Sequence, residues 1–115
     1  MVINASSVKG FDFGGLLIRD YTAHTAGNSS VAEILAPVGS GHGRALSRRS
    51  AKYYYILEGE VAFEIDGSHY RLSKGDLAVI PVNTPFKYSA AIDSVRMLLI
   101  HTPPFSEDEE VFLHE

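Results

Sequence analysis

The sequence predicts an all-β domain, a sandwich or barrel, on three observations. Segments rich in β-branched and aromatic residues are short, turn signals separate them at close intervals, and no segment carries a sustained 3.6-residue apolar period. The breaks fall at Gly14-Gly15, Gly27 to Ser30, Gly39 to Gly43, Asp66-Gly67, Lys74 to Asp76 and Pro81 to Pro85. A length of 115 residues fits one domain spanning 1–115, because a chain of this size buries roughly two-thirds of its unfolded surface around a single core.

Leu16 to Tyr21 and Val31 to Ala36 are the first predicted strands. Tyr53 to Leu57 follows, where three successive tyrosines favour the pleated conformation. Alternation along this strand sets Lys52, Tyr54 and Ile56 on one face, with Tyr53, Tyr55 and Leu57 on the other. Val61 to Ile65, the turn pair Asp66-Gly67 and the return His69 to Leu72 read as a hairpin. Leu77 to Ile80 forms the next strand, which Pro81 closes because it has no N–H for the ladder. Asn83 is suited to a left-handed turn. Val95 to His101 is the last long strand, with Val95, Met97, Leu99 and His101 on a common face. The acidic run Glu107 to Glu110 is expected to be a solvated turn without function. Val111 to Leu113 either tucks back onto the body or a partner subunit, or frays.

Ten Lys and Arg against fourteen Asp and Glu leave a net charge of −4, which argues against a nucleic-acid footprint. With no cysteine, disulfides, thiolate metal sites and cysteine nucleophiles are excluded. No run approaches the ~20 apolar residues of a membrane span, and the N-terminus lacks a basic start followed by an apolar stretch. The expectation is a cytoplasmic protein without a membrane partner.

Several local patterns occur together. Tyr53 to Val61 is a strand ending in a Leu57-Glu58-Gly59 turn, and Ile65-Asp66-Gly67 follows. Leu72 to Pro81 then sets Gly75-Asp76 ahead of a strand and a proline, and His101 to Phe105 leaves the final strand through Pro103-Pro104. This combination resembles the cupin family, the small double-stranded β-helix barrels of the jelly-roll class, with its motifs over about residues 37–104. The resemblance implies four positions for a divalent metal: two histidines and a glutamate in the first motif, a histidine in the second. The glutamate position falls on Lys52, the first histidines on Ala45 and Ser47 (or Leu46 and Arg48), and the last on Phe86. An ammonium, apolar side chains and a phenyl ring cannot replace imidazole and carboxylate ligands. The expectation is therefore no metal and no cofactor, unless His42, His24 or His101 rebuild a site.

The resemblance also implies that the Lys52 face points into the barrel. Lys52, Tyr54, Phe86, Tyr88 and His101 would line a cavity, with Arg48 from the cluster Arg44, Arg48, Arg49 and Lys52 at its rim. The function expected is binding of a small ligand, with a carboxylate, phosphate or sugar among the candidates and catalytic residues unassigned. The alternative is an enzyme. It would be either a metal-independent isomerase or epimerase pairing His42 or His101 with Tyr54 or Tyr88, or a metal-dependent dioxygenase or isomerase with relocated ligands. Tyr53 and Tyr55, on the opposite face, suit contact with a second copy, and a homodimer is expected.

Overall fold

The computed structural model describes residues 1–114. In chain order the strands are β1 (Phe11–Phe13), β2 (Leu16–Asp20), β3 (Ser30–Ala36) and β4 (Gly41–Ser47). Next come β5 (Ala51–Glu58), β6 (Glu60–Ile65), β7 (Ser68–Ser73) and β8 (Leu77–Ile80). The set closes with β9 (Phe86–Ser89), β10 (Val95–Thr102) and β11 (Glu110–Phe112). One sheet runs β1-β2-β3-β10-β5-β8 and the other β11-β4-β9-β6-β7. β1 to β3 are consecutive in the first sheet, and from β3 onward the chain changes sheet at every step except the β6–β7 hairpin, as in a jelly roll; the all-β reading holds.

The two inner faces do not fill the space between them evenly. At one end Val95, Met97, Ile56, Ile34 and Leu16 of the first sheet pack with Val61 and Phe63 of the second, all of them buried. The register Met97↔Ile56, Leu99↔Tyr54, His101↔Lys52 then carries β5 and β10 from that packed end toward polar side chains. Here the barrel opens into a cavity. On the outer face Tyr53 lies opposite Val79, and Tyr55 opposite Leu77. Tyr55, Leu77 and Val79 are all exposed, so the surface assigned to a second copy is apolar.

The hairpin of β6 and β7 closes at Ile65↔Ser68 through Asp66 and Gly67, both with positive φ, as a two-residue turn requires. Asn83 also has positive φ. Gly59 carries a heavier constraint: its φ is +85°, and a β-carbon there would lie 2.0 Å from the Ser94 carbonyl oxygen. Gly59→Ala is expected to lower stability by about 3 kcal/mol, as a shifted urea midpoint with an unchanged slope. Gly67→Ala, with similar φ but open space around it, should cost clearly less. Equal midpoints for the two variants would contradict this close approach.

Three expectations are corrected. Gly41 to Gly43 is the start of β4 and not a loop, since Gly41 pairs with Ser89 and His42 with Tyr88. Glu107–Glu109 is a short 3-10 turn, and Glu110 begins β11, whose residues pair with β4 through Glu110↔Ser47, Val111↔Leu46 and Phe112↔Ala45. Residues 110–113 are thus tied to the body. Phe86, expected on the cavity lining, opens β9 and is fully buried off that lining.

Candidate active site

The cavity has a volume of about 500 Å³. Its floor comes from the barrel strands: Lys52 and Tyr54 of β5, Tyr88 of β9, Leu99 and His101 of β10, and His42 of β4. Its mouth is built by the chain ends, with Phe11 and Phe13 of β1 on one side and Phe105, Glu107, Glu110 and Phe112 on the other. Phe13 and Phe112 meet with ring centroids 6.1 Å apart. β1 and β11 are edge strands of different sheets, so their short pairings alone bring the aromatic rim together.

His42 stands among these rings. Its centroid is 5.2 Å from that of Phe86, 5.5 Å from Phe112 at an interplanar angle of 16°, and 5.6 Å from Tyr88. Nδ1 lies 2.7 Å from the Gly43 carbonyl oxygen. A carbonyl only accepts, so Nδ1 carries the proton of the neutral ring and Nε2 keeps the lone pair. Burial lowers the His42 pKa below 6.5 and the Lys52 charge adds to this, while the Gly43 bond and Glu110 oppose it. At neutral pH the ring is an uncharged base.

Lys52 reaches across from β5 to β11 and donates from Nζ to Glu110 Oε1 in an ion pair with side-chain exposures of 4% and 10%. The same Nζ sits 5.0 Å from the Phe86 ring centroid, so ammonium and imidazole share one aromatic wall. Burial lowers the Lys52 pKa, and the Glu110 hydrogen bond and charge offset part of that effect. Tyr54 is packed on Phe63 and Tyr88, at 5.3 and 5.4 Å between centroids, and burial pushes the pKa of both tyrosines upward. His101 is held neutral, its pKa driven down to about 3 by burial and by Lys52. The Tyr88 hydroxyl, His101 Nε2 and Glu110 Oε2 are buried polar atoms without a partner among the described residues, and all three belong to lining residues. Such atoms cost free energy unless something within the cavity bonds to them.

Of the residues expected from the sequence, Lys52, Tyr54, Tyr88 and His101 come together on the lining. Phe86 does not line the cavity; it stands behind Lys52 and His42 as their support. Arg48 is outside altogether. Its exposed guanidinium donates to the Asp108 carbonyl oxygen at 3.1 Å and lies 3.8 Å from Glu109. Nor is Lys52 left for an anion, since Glu110 already meets its charge. Sequence reasoning missed Glu110, Glu107, Phe112 and the Phe11/Phe13 pair. The alternation of Glu110 and Phe112 in one short strand was the available signal for the first and third.

The residues present do not fit the metal that cupin barrels commonly carry. Ala45, Ser47, Lys52 and Phe86 are buried at the ligand positions, and the Lys52 ammonium already occupies the acidic partner it has. In the other register, Leu46 and Arg48 offer no better donors. His24 is exposed and apart from the lining. Among the described residues no group of three or more His, Asp or Glu is placed to hold a metal ion.

Comparison with known proteins agrees with this barrel. An uncharacterized protein of Methanocaldococcus jannaschii, MJ1618, is 36% identical over 84 residues, covering 71% of this chain and 67% of that one. Among solved structures, the nucleoside dehydratase Pac13 superposes with a TM-score of 0.87 at 21% identity, covering 99% of this chain and 91% of that one. Streptomyces PAC13 variants with uridine, tyrosine-to-phenylalanine and histidine-to-glutamine, superpose equally well, with TM-scores of 0.88 and 0.87. KdgF from a Halomonas species follows at 0.81 and 20% identity, covering 94% of this chain and 96% of that one. A family model for the cupin domain matches residues 31–102, from β3 to the end of β10. The chain belongs to the cupin family.

Proposed function

We propose that the cavity is a metal-independent proton-transfer site in which His42 removes a proton from carbon of a small hydroxylated ring compound of the nucleoside kind. The observation that carries this reading is the state of His42. Gly43 holds it in one tautomer, Phe86 and Phe112 fix it between them on the lining, and burial favours its uncharged form. Proton removal from carbon opens elimination, isomerisation and epimerisation alike. The tyrosines are poor proton donors in this setting, because burial disfavours their ionised form. The overall likeness to a nucleoside dehydratase solved with uridine supports elimination as the reaction class, in which the proton His42 takes from carbon passes to the departing hydroxyl and leaves as water.

The test is exchange in heavy water. A panel of nucleosides and keto sugars is incubated with the protein, and proton NMR follows loss of a carbon-bound proton or growth of a vinylic signal. Deuterium incorporation is expected with at least one nucleoside-type compound; binding without exchange would reduce the site to a receptor. The pH dependence has a definite sign. Because the folded-state pKa of His42 is lowered, the base form persists as pH falls through 6.5, and the rate should drop only below that value. An acid limb centred at or above 6.5 would contradict His42 as the base.

A further inference from the structure

We infer that the cavity selects an uncharged molecule bearing adjacent hydroxyl groups and rejects its phosphorylated form, and that Glu110 is the residue that reads the difference. This rests on the nucleoside-type reading above and adds the charge and hydrogen-bonding class of the ligand. Among the described residues the lining carries three carboxylates, Asp20, Glu107 and Glu110, against one ammonium, Lys52. With both lining histidines neutral, the wall is negative by two charges. The ammonium gives no net attraction for an anion, because Glu110 Oε1 is already bonded to it. No arginine reaches the lining: Arg19 pairs with Glu33 at 3.3 Å, and Arg48 lies on the outer surface. A phosphate would enter beside Asp20 and Glu107 with no free cation to receive it, which costs binding.

The hydrogen-bonding groups point the same way. Glu110 Oε2 is buried, unpartnered and able only to accept, so its ligand partner must be a donor. The Tyr88 hydroxyl both donates and accepts, and the unpartnered His101 Nε2 offers one further bond. A sugar diol matches this set, whereas a phosphate or carboxylate offers acceptors only. Phe11, Phe13 and Phe112 at the mouth supply ring faces for an apolar or aromatic portion of the same molecule.

Calorimetric titration with uridine, 2′,3′-dideoxyuridine and uridine 5′-monophosphate tests the inference. The wild-type protein is expected to bind uridine about tenfold or more tightly than either of the other two. In Glu110→Gln the carboxylate that cancels Lys52 is gone, so the monophosphate should gain about tenfold and close most of its gap to uridine. A merely structural role for Glu110 would weaken all three ligands together. Should Glu110→Gln fail to fold, Glu107→Gln at the mouth leaves the Lys52 pair intact, and the monophosphate should still gain a few-fold. Wild-type binding of the monophosphate as tight as that of uridine would overturn the charge selection while leaving the nucleoside reading in place. Equal binding of dideoxyuridine would overturn the hydroxyl requirement. If none of the three binds, the nucleoside reading falls, and this inference with it.

Discussion

His42→Phe is expected to slow turnover about a thousandfold, the usual worth of a positioned general base. Phenylalanine keeps the aromatic packing that His42 makes with Phe86 and Phe112 and removes only the lone pair at Nε2 and the bond to Gly43. The variant should therefore keep its circular dichroism spectrum and bind uridine within a few-fold of wild type, losing kcat rather than KM. That split separates a chemical role from a packing role. A variant that retained wild-type turnover would remove His42 from the mechanism, whatever its tautomer.

Lys52→Met is expected to be the most damaging change to stability outside the turns. Lys52 and Glu110 are both taken out of water, and their mutual attraction offsets the cost of doing so. Removing the cation leaves a carboxylate that has one bonded oxygen stripped of its partner and a second, Oε2, that never had one in the protein. A loss of roughly 3–5 kcal/mol follows for breaking one side of a buried pair. The double variant Lys52→Met/Glu110→Leu should recover most of this, because two apolar side chains of similar length fill the same space without an unpaired charge. Urea denaturation of wild type, the single variant and the double variant gives the comparison. A single variant as stable as wild type would show that the pair is solvated.

The fold was legible in the sequence because its determinants are local. Turn residues with positive φ at Asp66, Gly67, Asn83 and Gly75 mark chain reversals, and strict alternation in β5 and β10 marks the buried face. The floor of the cavity was legible for the same reason, since Lys52, Tyr54 and His101 sit on that face. The mouth was not. β1 and β11 are three-residue strands whose positions depend on pairing with β2 and β4, so no period reveals them. Glu110 was hidden by its neighbours: within a run of four acidic residues it reads as solvated surface, and only tertiary pairing with Lys52 distinguishes it. Arg48 failed in the opposite sense. It sits one residue beyond β4, where the chain has left the inner face, and a cation there bonds to the C-terminal segment instead.

Long-range nitrogen–proton NMR of His42 in the presence of saturating uridine reports directly on the proposed base on the cavity wall. At pH 6.5 the ring should be neutral with the proton on Nδ1, and the Nε2 resonance should move as uridine binds. A doubly protonated ring at that pH, or a proton found on Nε2, would contradict the assignment.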